Sequence, residues 1–135
     1  MVSLRITRLP WVALRRRGFT LIELLVVMAI IATLLTLAAP RYFNTVQKSR
    51  EAVLRSNLGV MRDAIDKYYG DNGKYPSGLD DLVKRKYLRQ IPEDPISESK
   101  STWILVAPAD DPAGVFDVKS GATGAASDGT PYQEW

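Results

Sequence analysis

From Phe19 to Ala39 apolar residues follow one another almost without a break, interrupted only by Thr20, Glu23, Thr33 and Thr36. At about 1.5 Å per residue such a run predicts a helix of about 31 Å, enough to cross the apolar core of a bilayer. Pro40 stands at its outer end and, lacking an N–H, is expected to kink or interrupt the helix. Beyond Pro40 the pattern turns amphipathic. Val46, Val53, Leu54, Leu58, Met61, Ile65 and Tyr68 recur at spacings of three, four and seven, the mark of a helix with one apolar stripe. Arg50, Glu51, Arg55, Arg62, Asp63, Asp66 and Lys67 fall to the solvated faces. Gly59 weakens this helix by about 1 kcal/mol relative to alanine. Gly70-Asp71-Asn72-Gly73 ends it with residues that tolerate left-handed geometry. Continuous helix from Phe19 to Tyr69 would be about 77 Å long.

Tyr75-Pro76-Ser77-Gly78 reads as a loop, and Leu79 to Tyr87 as a short helix with Leu82, Val83 and Leu88 inward. Its Lys84-Arg85-Lys86 triplet is a solvated face. Pro92, Asp94 and Pro95 enforce a turn. Thr102–Val106 and Gly114–Val118 read as strands joined by an Asp110–Gly114 hairpin loop, and Thr130–Trp135 as a short final strand. A long helix, a loop helix and a small antiparallel sheet make an α+β arrangement.

Charge divides the chain sharply. Residues 1–18 hold Arg5, Arg8, Arg15, Arg16 and Arg17 and no acid, so the net +3 conceals a leader of +5 and a remainder of −2. The basic excess lies in that leader rather than on a folded face, which argues against a direct nucleic-acid partner. There is no cysteine and no histidine. Disulfide frameworks, thiolate metal sites and histidine acid–base chemistry are thereby excluded. One Ser-x-x-Lys spacing, Ser97 to Lys100, has no companion motif and sits in a polar stretch after a turn. An enzyme is not expected.

Glu23 is the informative residue. A carboxylate inside an apolar segment is costly unless neutralised, so such residues are usually functional. The segment is also too long, and Leu37-Ala38-Ala39-Pro40 too poor a cleavage site, for an ordinary secretory signal. The arginines orient it with residues beyond Pro40 on the outer side of the membrane. Arg17-Gly18-Phe19-Thr20-Leu21-Ile22-Glu23-Leu24 resembles the class III signal of type IV pilins and type II secretion pseudopilins. The resemblance implies that a prepilin peptidase cuts after Gly18 on the cytoplasmic side and methylates the new amino terminus at Phe19. Pro40, 22 residues into the mature chain, matches a proline of that family. The implied organisation is a leader (1–18), a transmembrane and filament-core helix (19–39) and a periplasmic pilin-like domain (40–135).

Once Phe19 carries an amine, Glu23 has three destinations. It can pair with that amine within one helix, four residues apart. It can meet the amine of an adjacent subunit and set filament register, as buried polar groups do in coiled coils, and this pairing of Glu23 with Phe19 during filament assembly is the role expected here. Or it can snorkel to the head groups. Tyr75-Pro76-Ser77-Gly78-Leu79, Tyr87-Leu88-x-x-Ile91-Pro92-x-Asp94-Pro95, Gly114-Val115-Phe116-Asp117-Val118-x-Ser120-Gly121 and the closing Trp135 are similar to the major pseudopilin branch.

That branch implies a single-pass inner-membrane subunit that polymerises with itself and with minor pseudopilins into a short filament for exporting folded proteins. A platform protein and an assembly ATPase would serve it. The alternative is a type IV pilin for adhesion, motility or DNA uptake, and a different class again is a membrane-anchored binding module that never polymerises. Major pseudopilins typically order the carboxy-terminal loop with calcium. Here Asp117, Ser120 and Asp128 offer hard oxygen ligands around a loop rich in glycine, alanine and serine. The alternative is two solvated aspartates beside a mobile loop.

Overall fold

The computed structural model describes residues 17–135; Arg5, Arg8, Arg15, Arg16 and the rest of the leader before Arg17 lie outside the described residues. The described elements are helix α1 (Leu21–Asn72), helix α2 (Leu79–Lys84), strands β1 (Ile104–Val106) and β2 (Asp117–Lys119), and a 3-10 turn at Tyr132–Glu134. The architecture is α+β. The chain divides into two compact units, one ending at Ala39 and one spanning Pro40–Trp135.

In the first unit the described apolar residues are exposed rather than packed into a core. Leu21, Ile22, Leu24, Leu25, Val26 and Met28 are all more than half exposed, and the most apolar stretch of α1 is 0% buried. The polar interruptions are satisfied within the helix. Thr33 Oγ1 donates to the Ala29 carbonyl at 2.9 Å and Thr36 Oγ1 to the Ala32 carbonyl at 2.8 Å. Neither hydroxyl therefore presents an unmet donor to a hydrocarbon environment. Pro40 does not interrupt the helix, because α1 continues through it to Asn72. Only the bond its missing N–H would have made to the Thr36 carbonyl is lost.

In the second unit the core forms where α1 meets α2 and the sheet. Leu54, Leu58, Met61, Ala64, Ile65 and Tyr68 are buried against Leu79, Leu82, Leu88, Trp103, Val115, Val118 and Tyr132. Each large apolar side chain so buried contributes about 1.5–3 kcal/mol. The stripe differs from expectation at two places. Val53 is 48% exposed, and Glu51, assigned to a wet face, is only 6% exposed. Gly73, at φ 68°, takes the left-handed turn that closes α1, its N–H bonding the Tyr69 carbonyl at 2.8 Å.

Helix α2 stops at Lys84 rather than Tyr87. Lys86 turns left-handed at φ 65°, and the Tyr87 N–H returns to the Leu82 carbonyl at 2.8 Å. The strands are shorter than read because their flanks are committed elsewhere. Val115 N–H bonds the Pro76 carbonyl at 2.8 Å, and Trp103 Nε1 donates to the Pro92 carbonyl at 2.8 Å. Pairing is antiparallel, with Leu105 opposite Val118. Thr130–Trp135 is not a strand: beyond a single bridge between Ala125 and Pro131, Tyr132–Glu134 winds into the 3-10 turn. Proline has no N–H to donate to a ladder, which favours that outcome.

Candidate functional site

Gly18, Phe19 and Thr20 are irregular, exposed backbone, and Phe19 is 92% exposed. Helix α1 then begins with a reciprocal cap. Glu23 N–H donates to Thr20 Oγ1 at 3.2 Å, and the Thr20 N–H donates to Glu23 Oε2 at 2.8 Å. The Thr20 carbonyl accepts from Leu24 at 3.2 Å. Thr-x-x-Glu at a helix start is a capping box, which satisfies two donors that helix geometry leaves orphaned. The negative carboxylate also sits at the positive end of the helix dipole.

Thr20 was not singled out by sequence reasoning, although the Thr-x-x-Glu spacing ahead of an apolar run was its signal. Phe19 and Glu23 border one shallow groove with Ile22, Val26 and Val27. The structure thus gathers Gly18, Phe19 and Glu23 at one helix start, with Glu23 held by its own chain. Pro40 lies separately, inside α1.

The three oxygen-bearing residues considered for calcium are each engaged by a partner of their own. Asp117 Oδ1 takes Arg62 Nε at 2.8 Å, while Arg62 Nη2 also reaches the Val118 carbonyl at 2.9 Å. Ser120 Oγ donates to Asp94 Oδ2 at 2.6 Å, and both residues are fully buried. Asp128 Oδ1 accepts the N–H and hydroxyl of Thr130, and its Oδ2 lies 3.8 Å from Arg55. Among the described residues no three acidic side chains group together to hold a metal ion. As placed, Asp117, Ser120 and Asp128 do not fit a single donor set. Ser97 of the Ser-x-x-Lys spacing is likewise occupied, its hydroxyl 2.6 Å from that of Thr102.

A polar centre that sequence reasoning missed joins α1 to the carboxy terminus. Glu51 Oε1 accepts the Ser127 N–H at 2.8 Å and the Tyr132 hydroxyl at 3.1 Å, and its Oε2 accepts the Ser127 hydroxyl at 2.7 Å. Gln47 Nε2 donates to both Glu51 and Tyr132. Burial pushes the Glu51 carboxyl up, but the bonds from the Ser127 hydroxyl and N–H, Tyr132 and Gln47 outweigh it, leaving the carboxyl below its ordinary value. The signal was spacing: Glu51 lies three and seven residues before Leu54 and Leu58, on the apolar stripe itself.

Residues 14–39 match the family model described as the prokaryotic N-terminal methylation motif. The chain is 30% identical over 122 residues to the type II secretion system core protein G of Escherichia coli, covering 78% of this chain and 81% of that protein. It is 33% identical over 97 residues to the protein of the same name from Klebsiella pneumoniae, covering 60% and 69%. Fimbrial protein EcpC of Eikenella corrodens is 35% identical over 81 residues, covering 56% and 53%. No solved structure matches at a significant level.

Proposed function

We propose, because this chain belongs to the family of type II secretion system core protein G, that it is the membrane-anchored filament subunit of a protein secretion machine. One observation carries the reading. Among the described residues an apolar helix stretch that is 0% buried is capped at its start by its single carboxylate, a few residues after an exposed glycine and inside the methylation motif. Such a helix has to be covered by lipid or by copies of itself. An exchange of lipid for neighbouring helices lets one segment serve first as anchor and then as filament core.

In this reading a prepilin peptidase cuts between Gly18 and Phe19 and methylates the Phe19 amine. The irregular, exposed backbone there supports access by a protease. Residues 1–18 face the cytoplasm and residues 40–135 the periplasm, an orientation supported by the basic leader. Glu23 then exchanges its cap for the amine of an adjacent subunit. An amine and a carboxylate in low dielectric attract strongly, and leaving either unpaired costs several kcal/mol. Self-association, minor pseudopilins, the platform protein and the assembly ATPase complete the proposed partners. The subunit's role is structural, with no chemical step of its own.

The test is mass spectrometry of the natural protein together with cross-linking of Glu23→Ala subunits in membranes. The reading expects a mature chain that begins at a methylated Phe19, and a Glu23→Ala variant that is cleaved and inserted but does not polymerise. A mature chain beginning elsewhere, or normal polymers of that variant, would refute it. The fimbrial relative supports a second reading, a surface pilus, which trapping of exported proteins in a deletion strain would distinguish.

A further inference from the structure

We propose that the carboxy-terminal region of this chain is ordered without calcium, by Glu51 and by two arginines of α1 that act as built-in cations. Arg55 and Arg62 are seven residues apart, so both lie on one face of the helix. Each meets one of the two aspartates that a cation in this region would need: Arg55 lies 3.8 Å from Asp128 and Arg62 lies 2.8 Å from Asp117. Trp135 closes the same face, with the Arg55 guanidinium 4.3 Å from its ring centre and Trp135 Nε1 donating to Thr130 Oγ1 at 2.9 Å.

Glu51 supplies the attachment. It holds Ser127 through two bonds and Tyr132 through one, so residues on both sides of Gly129 are tied to the helix. Lys48 and Arg55 border the cleft that contains Glu51, Ser127 and Asp128. A divalent ion entering that cleft would have to displace existing bonds and approach two positive side chains. Asp94, the other buried acid, is filled by the Ile96 and Ser97 N–H groups and the Ser120 hydroxyl. A glycine-rich loop loses much entropy on ordering, and here covalently tethered partners offset that loss.

The experiment uses the full mature chain in detergent and follows hydrogen exchange of residues 120–130 and the melting temperature, with EDTA and with added calcium chloride. Exchange and melting temperature are expected to be the same in both, since an ion that does not bind the native state cannot shift its stability. Glu51→Gln is expected to speed exchange of the Ser127 amide by about tenfold or more in either condition. If that variant does not fold, the wild-type comparison alone decides. Faster exchange or a lower melting temperature in EDTA, or saturable terbium luminescence reversed by calcium, overturns the proposal. The readout concerns the fold of residues 40–135, so its failure is separate from any failure to form filaments.

Discussion

The Thr20 N–H and the Glu23 carboxylate meet at 2.8 Å, so the only acid of the apolar segment is bound to its own helix end in the single subunit. That contact satisfies Glu23 without a partner and yet leaves it at the helix start, where the proposed pairing with a neighbour's amine would engage it. Capping explains how the carboxylate is tolerated before assembly; pairing would explain why it is needed during assembly. Thr20→Ala is expected to weaken the first turn of α1 by about 1 kcal/mol without blocking polymerisation, whereas Glu23→Ala loses both roles. Amide exchange at residues 20–24 measures the first effect and cross-linking in membranes the second. Equal assembly defects in the two variants would show that the cap, not intersubunit pairing, is what matters.

Two glycines predict opposite results. A Cβ built on Gly121 would lie 1.8 Å from the Thr102 carbonyl oxygen, a backbone atom that cannot swing aside. Gly121→Ala is expected to destabilise the second unit by about 3 kcal/mol or more, since the clash forces β1 away from the loop. Gly59 sits mid-helix with nothing within 4 Å of a built Cβ. Gly59→Ala is expected to stabilise by about 1 kcal/mol, a rise of roughly 4–8 °C in a domain of this size. Thermal unfolding of both variants checks the pair.

Arg62 joins α1 to β2 through Asp117 and the Val118 carbonyl. Its side chain is 39% exposed, so solvent screens much of the attraction. Arg62→Ala is expected to cost about 1–2 kcal/mol, more than a surface pair because a β2 carbonyl loses its donor too. A double-mutant cycle with Asp117→Asn isolates the ionic part. A coupling energy near zero would assign the loss to packing and to the Val118 carbonyl bond rather than to the ion pair.

Stability should be flat between two pH limits set by Glu51 and Tyr132. The Glu51 carboxyl is held below its ordinary 4.5, so its contribution is complete above that value and is lost as pH falls through the lower folded one. Burial, then the bond to the Glu51 carboxylate, raises the Tyr132 hydroxyl above its ordinary 10.0. Its contribution is complete below that value and lost as pH rises through the higher folded one. Glu51→Gln is expected to blunt both edges of the melting-temperature profile. An unchanged profile would show that the pair does not govern either limit.

The order of residues alone determined the anchor helix, the amphipathic stripe from Leu54 to Tyr68, the α+β class and the leader motif around Gly18. These depend on near neighbours: hydropathy over a bilayer's width, helical spacing, and a glycine before an apolar run. The tertiary structure decided what distant segments do to each other. Ser127 lies 76 residues from Glu51 and turns a nominally wet acid into a buried anchor. Val115 and Trp103 leave the sheet for Pro76 and Pro92, which trims both strands. Asp117 and Asp128 are drawn to arginines rather than to each other. Local spacing can place Glu51 on the apolar stripe, but it does not encode the partner, because a buried polar group takes whichever one the folded chain brings within hydrogen-bond reach.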